Sequence, residues 1–424
     1  MQTRNVETRQ IVAAVIGNAL EWYDFVVYGF LTVIISRLFF PSDSEYASLM
    51  MTMVTFGVGF FMRPIGGVLI GMYADRHGRK AGLQLIILLM TISIAMIAFA
   101  PTYAAIGLAA PAIIVLARLL QGVATGGEFA SATAFLVECA PPGRRGFYGS
   151  LQMVGQSLAA LAGACMGMLI TQGLSPAQID SWGWRIPFIF GLLIGPVGLY
   201  IRRHLNETEA FTQAHQTQIK RVTLAQLLSE HTRSVFACFG LVVAGTIMYY
   251  VVLIYMPTYA KTQLKIPLGD AFTAQAIGLV CLTAAIPYFG ALSDKTGRKP
   301  VLLFALLCYF VLPYPLFAWL LAEPTVFRLT VMQIILCIAV AISFGPVSTA
   351  LAEQFPVHTR STGLALAYNF AVMMFGGFAQ LIVTWLISET GSPLAPAFYV
   401  MFGAVAGLIG VLLMDDKYQQ DILH

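Results

Sequence analysis

Two carboxylates sit inside the first long apolar run of this chain. Residues 11–36 are long enough to cross a bilayer as one helix, which takes roughly 20 apolar residues. Near the middle they read Gly17-Asn18-Ala19-Leu20-Glu21-Trp22-Tyr23-Asp24-Phe25. A carboxylate on the lipid face of such a helix costs about 2.5 to 3.5 kcal/mol. Glu21 and Asp24 are therefore expected to face a bundle interior or a water-filled path. Asn18, Glu21, Asp24, Phe25 and Tyr28 follow helical spacing and share one broad face.

Three more charges lie in apolar runs: Arg63, Arg118 and Glu128. Arg118, Gln121, Thr125 and Glu128 recur at i, i+3, i+7 and i+10, which places them on one helix face. Arg63 precedes Pro64, whose missing N–H and ring loosen the helix there. A guanidinium is a planar fork that suits a carboxylate bidentately. Two buried arginines thus read as a receiver for an anion bearing two or three carboxylates. The alternative is permanent bridges, Arg63 to Asp24 or Glu21 and Arg118 to Glu128. Such pairs are weak evidence for stability, because desolvation offsets the attraction.

The same five groups suggest proton handling, with Asp24 as first candidate, then Glu21 and Glu128. Burial disfavours a charged carboxyl and a neighbouring arginine favours it. When an incoming carboxylate takes the arginine, the acid loses its partner and accepts a proton. With all five groups ionised, two positive charges would face three negative ones. Later apolar runs are nearly free of charge. They offer Gln152 and Gln156, then Tyr249, Tyr250, Tyr368 and Asn369, as hydrogen-bonding groups for the opposite wall of a site.

The elements that must position these groups are membrane helices. The chain has 424 residues, 58% hydrophobic and 10% charged, with a mean hydropathy of +0.79. A soluble protein carries roughly 25% charged residues. This excludes a soluble fold and implies a lipid bilayer as partner. The net charge of +4 is accounted for by loop asymmetry and calls for no nucleic acid. The first run is too long for a signal-peptide core and is expected to be retained. Six scattered cysteines form no Cys-x-x-Cys pair, so free thiols are expected. The histidines show no metal spacing, and there is no nucleotide-binding loop or hydrolase elbow. No metal, cofactor or enzymatic activity is expected.

Twelve apolar segments follow one another, at roughly 11–36, 49–72, 83–100, 106–135, 148–172, 186–203, 234–260, 270–291, 300–321, 328–351, 362–387 and 395–414. The long polar connection falls between the sixth and seventh. The expected plan is an all-α membrane protein of twelve helices. Residues 1–203 and 234–424 form two six-helix halves, joined by a linker at 204–233. Placing both termini in the cytoplasm puts 17 of the 24 Lys and Arg on that side, in line with the positive-inside rule. Arg37, Arg185, Lys261, Lys265 and Arg328 fall near the other side, and Arg63 and Arg118 lie within the membrane.

The halves repeat. Gly71-x-x-x-Asp75-Arg76-x-Gly78-Arg79-Lys80 is matched by Gly290-x-x-x-Asp294-Lys295-x-Gly297-Arg298-Lys299. Glu138-x-x-Pro141-x-x-x-Arg145 is matched by Glu353-x-x-Pro356-x-x-x-Arg360. Two motifs at nearly one offset indicate parallel repeats. Gly71 and Gly290 allow close helix approach, and Gly78 and Gly297 suit tight turns. The acids and cations can form charge networks that latch one conformation and break when the halves rock apart. The alternative is that the cations only set topology.

These loops and the twelve-helix plan resemble the major facilitator superfamily. Finer motifs are the Gly17–Phe25 run, Phe61-Met62-Arg63-Pro64, Arg118-Leu119-Leu120-Gln121-Gly122, Trp182-Gly183-Trp184-Arg185-Ile186-Pro187-Phe188, Glu207-Thr208-Glu209-Ala210-Phe211 and Glu353-Gln354-Phe355-Pro356. Together they resemble the metabolite:proton symporter family. Ser44–Met50 and Ile106–Ala112 look most like its citrate and tricarballylate branch. The resemblance implies a monomeric secondary transporter of the bacterial inner membrane that takes up an organic acid with protons. Alternatives kept open are another acid such as 2-oxoglutarate, a zwitterionic osmolyte such as betaine or proline, and, from a different class, a channel or a non-transporting receptor.

Overall fold

The computed structural model describes residues 8–77, 79–126, 128–203 and 229–417. Gly78 and residues 204–228 lie outside it, as do the side-chain surroundings of Gly71, Asp75, Arg76, Arg79 and Glu128. The first Gly-x-x-x-Asp loop therefore falls outside the described part. The fold is helical, with no strand among the described residues. Among the described residues eight helices are long and apolar enough to cross a membrane, nine if the bent pair Val15–Phe30 and Thr32–Phe39 counts as one span. Shorter apolar helices cover Gln84–Ala98, Ala109–Thr125 and Gly183–Leu193. Large side chains such as Phe99, Leu108, Leu193 and Phe327 stay exposed on the outside of the bundle. That is the pattern of a protein whose outer solvent is lipid. All six cysteines are free.

The first run is not one helix. It bends by 65° between Phe30 and Thr32. Thr32 Oγ1 donates back to the Gly29 carbonyl at 2.7 Å. Such back-bonding competes with the helical ladder and bends helices. Two other departures are π-helical turns, Tyr250–Tyr255 and Val372–Gly376. Each widens its helix by one residue per turn, a feature found mostly at functional sites.

The segments before and after 204–228 meet along a long seam. The Arg145–Gly173 helix packs against both Thr8–Phe30 and Leu268–Thr296, and the latter packs against Val326–Glu353. Gly297, at φ 94°, turns the chain from Leu268–Thr296 into Arg298–Val311. The stretch after the Ala395–Leu413 helix folds back on this corner. Asp416 accepts hydrogen bonds from the Arg298 and Lys299 amides at 3.2 and 3.0 Å. Asp415 and Gln354 exchange two more, at 2.8 and 3.1 Å.

Candidate functional site

A cavity opens on the seam. The segment before 204–228 contributes Trp22, Phe129, Met153 and Gln156; the segment after it contributes a larger wall that includes Tyr249, Tyr250, Phe344 and Tyr368. The rings interlock. Tyr249 stacks on Phe344 and meets Tyr250 and Trp22 edge-on. Tyr368 lies flat on Phe129, centroids 3.7 Å apart. Both π-helical turns begin at the cavity, with Tyr250 and Val372 in its lining. The Tyr249 and Tyr250 hydroxyls are buried and have no hydrogen-bond partner.

The two arginines stand behind these rings. Arg63 is 3% exposed, and its guanidinium lies 5.4 to 5.8 Å from the centroids of Trp22, Phe25, Phe60 and Tyr368. Arg118 is fully buried. It lies 4.7 Å from the Phe25 and Tyr28 rings and 5.0 Å from Phe56. It donates to Gln121 Oε1 at 2.6 Å and to the Phe56 carbonyl at 3.4 Å. Ring faces attract cations, but neither Nε has a partner. Asp24 forms no ion pair with Arg63 among the described residues, and the bridge of Arg118 to Glu128 involves a side chain that lies outside them. The helices can approach closely enough to bury these cations because Gly122 and Gly126 lie against the Gly59 and Arg63 carbonyls, where a Cβ would collide.

Asp24 is 5% exposed and faces the Ile186–Arg203 helix, its Oδ1 against Gly191. It lies within the field of Arg118 without touching it. Glu21 is partly exposed. Tyr28 donates to the Thr52 carbonyl and stacks on Phe56. Three expected site residues are engaged elsewhere. Asn18 and Gln152 bond each other: Asn18 Nδ2 donates to the Gln152 backbone carbonyl at 2.9 Å, and Gln152 Nε2 to Asn18 Oδ1 at 3.1 Å, while Gln152 Oε1 has no partner among the described residues. Asn369 donates to the Gly126 carbonyl at 2.6 Å across the seam. None of the three lines the cavity. Residue reading also passed over Phe56 and Phe60. The signal was present as Phe56-x-x-x-Phe60-x-x-Arg63, which puts two rings on the arginine's own face. Arg185 donates to the Ala98 and Ala100 carbonyls at 2.9 and 2.7 Å, closing a helix end.

Beyond the cavity, the repeated motifs tie the two segments together at one end of the bundle. Arg360 pairs with Glu138 at 2.6 Å and Arg145 with Glu353 at 3.5 Å. Arg298 grips Glu353 with two nitrogens, at 3.2 and 3.1 Å, and Asp294 at 2.9 Å. Asp294 also accepts from the Gly146 and Phe147 amides at 2.7 and 3.0 Å. It thus caps the N-terminus of Arg145–Gly173, where a negative charge is favoured. Gly290 and Gly146 meet backbone to backbone there. At the opposite end Gln172 donates to Gly269 and Thr273, and Phe30 meets Phe272. The cavity is bounded by contacts at both ends.

The sequence matches the family model for the Major Facilitator Superfamily over residues 14–370. This chain belongs to the major facilitator superfamily. It is a multi-pass membrane transporter and not an enzyme. Among this superfamily member's relatives, a citrate-proton symporter of Salmonella typhi is 37% identical over 398 residues, 94% of this chain and 92% of that one. A proline/betaine transporter of Escherichia coli K12 is 33% identical over 420 residues, 96% and 83% of the two chains. The fold is also that of a D-xylose-proton symporter crystal structure, at a TM-score of 0.77, 20% identity, and coverage of 96% and 98%.

Proposed function

We propose that this facilitator is a proton-coupled symporter of the bacterial inner membrane. Its cargo is an organic anion with two or three carboxylates, citrate or a close relative. One observation carries this: two buried guanidiniums, Arg63 and Arg118, stand beside a central cavity, each with an Nε that has no hydrogen-bond partner. A buried cation with an unmet donor is costly, and a multivalent anion from outside supplies the missing acceptors. The citrate-proton symporters among the relatives support the same cargo. In this reading the nine spans and three shorter apolar helices make twelve crossings. Residues 1–203 and 234–424 are two six-helix halves about a linker at 204–233, with both termini cytoplasmic. The halves rock about the cavity to give alternating access. Asp24 carries the proton, with Glu21 and Glu128 as the other candidates. The motif-end ion pairs hold one state closed.

A second reading is uptake of a betaine-like osmolyte. The rings of Trp22, Tyr249, Tyr250 and Tyr368 around the cavity suit a quaternary ammonium, and proline/betaine transporters are among the relatives. Purified protein in proteoliposomes, offered di- and tricarboxylates, betaine and proline with and without an inward proton gradient, separates the two. Gradient-driven accumulation of citrate without betaine supports the first reading. Accumulation of betaine alone supports the second.

A further inference from the structure

Gln380 is fully buried, and neither its amide nitrogen nor its amide oxygen has a hydrogen-bond partner. No other buried amide side chain among the described residues has both atoms unpartnered. It is the second residue of the Ala379–Thr390 helix, just past the Val372–Gly376 π-turn. Its nitrogen faces Gly29, at the bend of the first run. A Cβ built on Gly29 would lie 2.5 Å from Ile254 Cγ2, 3.2 Å from that nitrogen and 3.3 Å from the edge of the Phe56 ring, so the first run and the amide pack closely here. The same Phe56 ring lies under the Arg118 guanidinium. Phe56 also meets Tyr250, which lines the cavity, whereas Gln380 does not.

A buried amide with no partner is exceptional. Because both atoms are free, its complement must offer a donor and an acceptor together. A hydroxyl does so, and so does an un-ionised carboxyl. An ionised carboxylate or a betaine offers no donor and leaves the amide oxygen unmet. We propose that Gln380 is a substrate-recognition residue. It docks the hydroxyl or un-ionised carboxyl of the organic acid whose ionised carboxylate is received by Arg118. This rests on the polycarboxylate reading and names the form of acid the site selects.

Calorimetric binding of citrate and of tricarballylate, which lacks the hydroxyl, to the purified full chain tests it. Gln380→Leu is expected to weaken citrate binding tenfold or more. The unfolding temperature of the empty protein should stay the same or rise, since the amide removed had no partner. Gln380→Met, closer in shape, gives the same comparison should the leucine variant fail to fold. If the docked group is the hydroxyl, tricarballylate binds the variant and the wild type alike; if it is an un-ionised carboxyl, both acids weaken. Wild-type affinity for both acids in Gln380→Leu, with binding lost in Arg118→Ala, overturns the role of Gln380 and leaves the polycarboxylate reading standing. A lower unfolding temperature with unchanged affinity marks the amide as structural and also overturns it. Wild-type protein that binds betaine and neither acid overturns both.

Discussion

Arg63 and Arg118 are held among aromatic rings. Arg63→Ala and Arg118→Ala are each expected to weaken binding of the transported acid by about 2 to 5 kcal/mol, the usual cost of truncating one side of a buried charge pair. Lysine should rescue poorly, because an ammonium cannot reproduce the planar fork; calorimetry on folded variants reads both effects. Asp24 faces Gly191 with no cation in contact, so Asp24→Asn changes little in packing. It should keep binding and allow exchange of substrate across the membrane while losing accumulation driven by a proton gradient. Vesicle assays of exchange and of net uptake, run side by side, separate those outcomes. The charged groups were legible in the sequence because an ion inside an apolar run is too costly to sit there without a role. Their surroundings were not. Phe25, Phe56 and Phe60 look like ordinary packing at helical spacing. The Asn18–Gln152 pair spans 134 residues, which no local pattern reveals.

At the scale of helices, the apolar runs were legible in the sequence as membrane helices, since twenty apolar residues in a row have one stable destination in lipid. Neither the bend at Phe30, which one threonine back-bond produces, nor either π-turn was legible. A single extra residue per turn barely alters an apolar pattern that is buried all round. The seam at the motif end depends on Gly146 and Gly290, and a side chain there acts as a wedge. A Cβ on Gly146 would lie 2.6 Å from Ser293 Oγ and 2.7 Å from Arg298 Nη1. Gly146→Val is therefore expected to shift distance distributions between spin labels on the two segments toward separation at this end. Glu353→Gln should act in the same direction. It removes the acceptor gripped by Arg298 and faced by Arg145, and breaking a buried pair costs about 3 to 5 kcal/mol. Unchanged label distances in both variants, with normal transport, would leave these charges only a part in orientation.

The whole molecule divides its labour unevenly. Arg63, Arg118 and Asp24 come from the first 203 residues, whereas the cavity wall contributed after 228 is uncharged and made of aromatic and aliphatic side chains with Thr246. The repeat motifs point to a two-part plan, and the uneven chemistry follows from the lack of charge in later runs. The stretch beyond the Ala395–Leu413 helix was not legible at all, because Asp416 reaches the Arg298 and Lys299 amides across more than a hundred residues. Truncation after Met414 is expected to loosen the motif end, seen as broader label distances there and slower transport, with cargo affinity held within a few-fold. The strap has a consequence for biosynthesis. A ribosome makes Arg298 long before it makes Asp416, so the helix starting at Arg298 enters the membrane uncapped. Its corner is completed only when the Ala395–Leu413 helix has been released. The corner at Arg298 is thus finished last, after every residue of the motif-end ion pairs has been made.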